Sequence, residues 1–374
     1  MQRSQRGVAA LCLMAFLQGM VFYAPVAALY RTQAGISLGQ IALIESISWL
    51  VVLALEIPWG LFTARVGYRA SLLVCCGLYF VSKLVFWRAD SFGDFLAERL
   101  LLSAVVAGLS GCDSACVCLC AGGQSQRALG FYEAAGIAGL LAASVVFALF
   151  LGQNYRLAAL LTAVSYGLAA LAALALPSLP APPRQSARAQ LAAQLRAAPR
   201  FALFLVAGAL LAEVCQFSTV FLSQLLWADR GFGPGALTVA YLALTAAGLC
   251  AGGSHRVTGL LGPRRLGRVC FGTAAVCCAG LALGPGPVLC TVFLLALQLA
   301  AGVYRPWELS RQNACALRWG LPSVMLSGYS MVSGLVSGAV NADVSLSLVL
   351  ACCAGLCCAG AVLFEAGFRA QSTQ

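Results

Sequence analysis

The sequence predicts an all-α integral membrane protein of about twelve transmembrane helices in two six-helix bundles. Three observations carry that prediction. The 374 residues are 61% hydrophobic and only 9% charged, with a mean hydropathy of +0.91, which excludes a water-soluble domain. Apolar stretches long enough to cross roughly 30 Å of hydrocarbon follow one another with short connections. Arginine recurs at every second gap between those stretches.

The stretches centre on residues 7–30, 37–63, 69–88, 94–120, 127–151, 156–177, 201–226, 236–254, 265–284, 287–310, 321–340 and 344–366. The first is too long, and followed by too many others, to be a cleaved secretion signal, so it is expected to be a permanent span. Lys83 on the third, near Arg88, is expected to snorkel its long stem to the outer surface. Glu45 is expected to be solvated near the outer end of the second. The fourth carries Cys112, Cys116 and Cys120 on one helical face, with no histidine beside them; the single histidine, His255, is expected in a loop. No metal site is therefore expected. Adjacent pairs such as Cys277-Cys278 and Cys357-Cys358 point to different helix faces and cannot form ordinary bridges, so the cysteines read as small apolar packing residues. The least regular boundaries lie at 253–267 and 311–322, where Gly, Pro and Arg interrupt the pattern.

The longest polar connection, residues 178–200, divides the chain into an N-terminal bundle (1–177) and a C-terminal bundle (201–374). Its proline-rich start cannot continue the sixth helix. Ala187 to Ala198 suits either a short amphipathic surface helix or an unstructured linker. The halves echo one another weakly: Ala107-Gly108-Leu109 aligns with Ala301-Gly302-Val303, which sets Asp113 against Trp307 and beside Glu308.

Arg3, Arg6, Arg65, Arg69, Arg127, the clusters Arg184 to Arg200 and Arg256 to Arg268, Arg311, Arg318 and Arg369 fall on one set of gaps, about sixteen of the 23 basic residues. The positive-inside rule assigns that set, and with it both termini, to the cytoplasm. The net charge of +11 is spread over many short loops with no basic-aromatic stripe, so it reads as orientation signal and not as a nucleic-acid surface.

After the second helix comes Glu56-Ile-Pro58-Trp-Gly60-Leu-Phe-Thr-Ala64-Arg65-Val-Gly67-Tyr-Arg69. This resembles the loop signature of the major facilitator superfamily, matched at Gly60, Arg65, Gly67 and Arg69. The family's acidic position is held by Ala64; the resemblance implies that this carboxylate helps latch the two halves on the cytoplasmic side, so the usual latch is in question here. Glu56, Pro58 and Gly60 resemble bacterial members that read EIPxG at this point, and Phe221-Leu-Ser-Gln224, Gln312-Asn313 and Leu326-Ser327 add to the likeness. The fifth helix, Glu133-Ala-Ala-Gly136-Ile-Ala-Gly139, lacks the proline that marks the family's drug–proton antiporters. Its glycines read as close-packing positions.

Charges in hydrocarbon cost at least about 2.5 kcal/mol each and need a reason. Glu213 falls near the midplane, while Glu56, Asp113, Glu133, Arg305 and Glu308 fall in the cytoplasmic third. The resemblance implies that helices one, four, seven and ten line a central cavity, which favours Asp113, Glu213, Arg305 and Glu308 as pore-facing groups. Arg305 and Glu308, three apart, share a helix face, and two readings stay open: a structural ion pair, or an arginine that binds an anionic substrate group while a carboxylate competes for it. A buried carboxylate is suited to carry a coupling proton, with Glu213 first and Asp113 next. Gln18, Gln216, Asn313 and Tyr329 add hydrogen-bonding groups.

The expected protein is thus a monomeric secondary transporter of a small solute in the inner membrane, working by alternating access, proton-coupled, with export ahead of import. The rivals are a metabolite importer and a non-transporting membrane sensor or scaffold on the same fold. No phosphate-binding G-x-x-x-x-G-K-[ST] loop appears, so no nucleotide cofactor is expected. There is also no nucleophile–base pair to make the chain an enzyme.

Overall fold

The computed structural model describes residues 2–152, 154–179, 203–318 and 345–372. The central connection 180–202 and the expected eleventh helix, with Leu326, Ser327 and Tyr329, lie outside the described residues. Nine helical runs among the described residues are long and apolar enough to cross a bilayer. One of them, Phe92–Leu151, has 60 residues and would measure about 90 Å if straight, three times the hydrocarbon thickness. It is two crossings, folded back at Gly122, whose φ of 57° no ordinary side chain adopts readily.

In the N-terminal half, α1 (Gln2–Gly19) and α2 (Ala27–Gln33) form one broken crossing, interrupted by a 3-10 turn at Ala24–Val26. Pro25 within that turn cannot donate a backbone hydrogen bond. Backbone groups beside the end of α1 at Gly19 are met by the sixth crossing: Phe22 N donates to Thr162 Oγ1 at 3.0 Å, and Ser165 Oγ donates to Leu17 O at 2.6 Å. Then follow α3 (Leu38–Val66), α4 (Tyr68–Arg88), α5 (Phe92–Leu109), α6 (Cys112–Ala121), α7 (Ser125–Val146, continued by a π turn at Phe147–Leu151) and α8 (Tyr155–Leu174). Capping boxes start α3 at Ser37/Gln40 and α5 at Ser91/Asp94, satisfying two orphan backbone donors each time.

In the C-terminal half, α9 (203–216) runs through a π turn at Phe217–Leu222 into α10 (Ser223–Asp229). α11 (Pro234–Ala247) and α12 (Ser254–Leu261) flank a 3-10 segment, Gly248–Gly253. α13 (Pro263–Ala282), α14 (Pro287–Arg318) and α15 (Leu346–Ser372) complete the described chain. His255 is in the first turn of α12 and not in a loop. The turns α3–α4, α6–α7 and α12–α13 all lie at the end of the molecule that carries Arg65, Arg69, Arg127 and Arg256, here termed the basic end.

Each half has its own core. Phe204, Trp227, Phe271, Tyr304, Trp307 and Phe364 dominate one, while Leu11, Met14, Leu72, Cys116 and Leu129 lie at the basic end of the other and Phe22, Tyr30, Phe86 and Phe95 at its far end. α1 lies directly on α7: a Cβ at Gly19 would overlap Gly136 O, and one at Gly139 would overlap Phe16 O. Without a hydrophobic driving force between helices in lipid, such backbone-to-backbone packing supplies the association energy.

The motif region is a turn stitched at three points. Gly67 takes φ 88° between α3 and α4. Thr63 and Ser71 share a hydrogen bond of 2.7 Å across it. Arg69 donates to Leu174 O at 3.0 Å, closing the C-terminus of α8. Gly60 and Ala64 are buried, and Arg65 is exposed.

Two expectations are corrected at the far end. Lys83 does not snorkel: it is buried against Glu98 at 3.0 Å, with side-chain exposures of 5% and 1%, and its Nζ lies 5.8 Å from the Tyr23 ring and 5.7 Å from that of Tyr166. Nor is Glu45 simply solvated; it bridges Arg31, at 3.4 Å, and Arg99. The apolar surroundings make pairing less costly than leaving either charge alone, since an unpaired ion inside the bundle has no solvent to fall back on.

Candidate functional site

The halves meet along α7, which packs on Gly248–Gly253, α11, α12 and α14, while α6 touches α14. At the basic end Gln126 Nε2 donates to Ser254 Oγ at 3.1 Å and to Thr258 Oγ1 at 2.7 Å. Gly130 faces the Ala251 carbonyl with no room for a side chain. Farther in, Asn313 Nδ2 on α14 donates to Ser114 Oγ on α6 at 3.0 Å. Ser114 belongs to a short helix that exists because Gly111, at φ 71°, breaks the fourth crossing after α5. The tenth crossing, α14, has no such break at the equivalent place and carries Pro306 inside it, so the weak internal repeat does not extend to helix continuity.

Between the halves lies a cavity of about 220 Å³. Its polar lining is Glu133 from α7, Gln216 and Thr219 from α9 and the π turn after it, and Gln298, Tyr304, Arg305 and Glu308 from α14. Glu308, 1% exposed, accepts from Gln312 Nε2 at 3.2 Å through one carboxylate oxygen and faces Arg305 at 3.9 Å with the other. The carboxylate fits because Gly208 sits opposite: a Cβ there would overlap its Oε1. Arg305 also lies within Coulombic reach of Asp113 and Glu133. Asp113 accepts from Tyr132 Oη at 3.1 Å and from the Ser114 amide at 2.6 Å, which joins it to the cross-bundle bond of Asn313.

The residues singled out from the sequence thus separate. Arg305, Glu308 and Gln216 line the cavity. Asp113 and Asn313 belong to the hydrogen-bond chain beside it. Glu213 is buried on α9 and is not among the lining residues. Gln18 donates to Cys76 Sγ at 3.4 Å inside the N-terminal bundle, and Tyr329 lies outside the described residues. Sequence reasoning placed Glu133 in the membrane but not in the site, and it missed Gly208, Gln298, Thr219 and Tyr304. Glu133 alone had a sequence signal, its charge; which way a helix turns its other faces is set by tertiary packing. Among the described residues no group of His, Cys, Asp and Glu is arranged to hold a metal ion.

Two helical bundles around a polar cavity at their interface define a membrane transporter architecture. The sequence matches the model of the Major Facilitator Superfamily over residues 9–310, and the chain belongs to that family. It is a transporter by family, not an enzyme. No curated protein sequence matches it. Among solved structures it is similar to the E. coli fucose:proton symporter FucP, at 16% identity and a TM-score of 0.72 over 96% of this chain and 97% of that one. A FucP structure in the outward conformation gives 15% identity and a TM-score of 0.74, again over 96% and 97%. The human organic anion transporter MFSD10 (TETRAN) gives 15% and 0.71, covering 96% of this chain and 99% of its own. At these identities the likeness is one of fold.

Proposed function

We propose that the chain is a secondary active transporter that moves a small amphipathic solute through the central cavity by alternating access, coupled to protons, in the export direction. The observation that carries this reading is the cavity itself, a polar chamber whose walls come from both bundles, α7 on one side and α9 and α14 on the other. Rocking one bundle against the other therefore remakes the chamber. Among the described residues the side-chain hydrogen bonds that join the halves are those of Gln126 and Asn313, each contributing about 0.5–1.5 kcal/mol net. Bonds of that size are compatible with two interconverting states a few kcal/mol apart.

By the arginine asymmetry the basic end and both termini lie in the cytoplasm of an inner-membrane protein. The coupling proton is assigned to a buried carboxylate, Glu308 at the cavity or Glu213 behind it. A proton-driven fold neighbour supports the coupling by analogy of fold. Proteoliposome flux with Glu308→Gln and Glu213→Gln separates the two: the variant that keeps normal pH dependence is not the carrier, and retention by both removes the assignment.

The transport reading is tested by the intracellular content of a broad small-molecule mixture in bacteria expressing the wild type or Arg305→Ala, with and without an uncoupler. Compounds depleted only by the wild type and restored by uncoupler establish proton-linked export. Enrichment establishes import instead. No difference, followed by no flux in reconstituted vesicles, would leave a sensor or scaffold on this fold.

A further inference from the structure

The charges at the cavity do not balance. Among the described residues Arg305 is the one basic group at its wall, against Glu133 and Glu308 in the lining and Asp113 within Coulombic reach. Arg305 pairs with Glu308 at 3.9 Å. Glu133 faces the cavity with no hydrogen bond or ion pair to any described residue. A second polar group also lacks a partner: the Tyr304 hydroxyl, on a residue 1% exposed that lines the same cavity. A carboxylate that faces the cavity without a partner calls for a donor or a positive charge from the ligand. The rest of the wall is largely aliphatic, with Ile137, Leu211 and Val220 among it.

The face of α7 that presents Glu133 and Ile137 continues to Ser144 and Ala148, spaced by four, seven and four residues as one helical stripe requires. Ser144 and Ala148 line a second cavity of about 550 Å³ between the bundles, on the far side from the basic end, with Val26, Leu237, Thr238 and Tyr241. No charged residue lines it, and the buried Ser144 hydroxyl has no partner. One helix face thus leads from a chamber without charged lining to a carboxylate that has no hydrogen bond or ion pair among the described residues.

We propose that the central cavity takes a small organic cation, an amine on an apolar body, with Glu133 as its counter-charge. This deepens the transport reading and rests on it. An anion would meet two carboxylates for one arginine already paired. An inorganic cation would need several oxygen ligands converging on one point, and among the described residues no group of His, Cys, Asp and Glu is so arranged. The cavity volume, equal to about seven waters at roughly 30 Å³ each, limits the ligand to a small one. Since one carboxylate holds either a proton or a cation, binding releases a proton from whatever fraction of Glu133 is protonated. The charged and titratable groups around Glu133 are Asp113 and Tyr132 on the N-terminal side, and Tyr304, Arg305 and Glu308 on α14; α9 and Gly248–Gly253 contribute none to the lining.

The test uses the full chain in phosphatidylethanolamine/phosphatidylglycerol vesicles, with benzyltrimethylammonium, whose charge is permanent, against phenylmethanesulfonate, similar in shape and opposite in charge. The cation should bind and the sulfonate should not. Glu133→Gln should weaken the cation by about tenfold or more, Glu133→Asp should recover part of the loss, and both variants should melt as the wild type does. Equal binding by Glu133→Gln, preference for the sulfonate, or displacement by equimolar sodium overturns the proposal. If neither probe binds while the broad mixture still shows flux, the cation assignment fails and transport stands. If the cation binds but nothing is carried, the cation site stands and transport fails.

Discussion

Replacing Gly208 by alanine places a methyl group on the Glu308 carboxylate, because the ideal Cβ position there overlaps Glu308 Oε1. Neither partner has an easy retreat. Glu308 is 1% exposed and tied to Gln312 at 3.2 Å, and Gly208 is on α9, facing α14. Overpacking of this kind costs about 1–3 kcal/mol, and loss of a hydrogen bond to an ionised acceptor about 1.5–3 kcal/mol. Alanine's better helix propensity returns about 1 kcal/mol, so the net loss is about 1.5–5 kcal/mol. Denaturation of the purified protein in detergent, followed by tryptophan fluorescence, reads it. Two companions make the result specific. Gly272→Ala, at a helical glycine with nothing within 4 Å, should be neutral or stabilising by about 0.4–1 kcal/mol. Gly208→Ala combined with Glu308→Ala should fall well short of additivity, because truncating the acid removes the clash. Wild-type stability and flux in Gly208→Ala, or strict additivity in the double variant, would refute the packing of Glu308 against α9.

Three further outcomes follow from other contacts. Lys83→Met leaves Glu98 as a buried unpaired charge and should destabilise by about 3–5 kcal/mol, whereas Lys83→Met with Glu98→Leu should recover most of it; equal unfolding midpoints for the two would mean the pair is solvated. Gly130→Ala intrudes on the Ala251 carbonyl across the bundle interface and should drive the basic end open, which a longer electron–electron distance between spin labels at Gly123→Cys and Arg256→Cys would register; an unchanged distance distribution speaks against that closure. Arg69→Ala removes the donor at Leu174 O and should cost about 1 kcal/mol, with amide exchange rising in the last turn of α8; unchanged exchange there would show that water caps that end equally well.

The buried charges show where reading from sequence stops. Their presence in the membrane was legible, because each of Glu133, Glu213, Arg305 and Glu308 falls inside an apolar run. Their roles were not. Glu213 and Gln216 are three residues apart on one helix, yet Gln216 lines the cavity and Glu213 does not, a difference of rotation that periodicity cannot set when the helix is apolar nearly all round. A flexible stem alone reads as a surface lysine at Lys83; its partner Glu98 is on another helix, and nothing local links them.

Length, hydropathy and arginine spacing by themselves determined the class, the approximate spans and the side that carries the basic loops, because a span must be about 20 apolar residues whatever its neighbours are. The motif after the second helix added the family. Only the tertiary structure decided that the first crossing breaks after Gly19 and the fourth at Gly111, that Gly208 makes room for Glu308, and that Glu133 shares a chamber with Arg305. Those facts depend on contacts between helices far apart in sequence, and in a chain built so largely of Ala, Gly, Leu and Val the residues themselves scarcely distinguish one helix face from another.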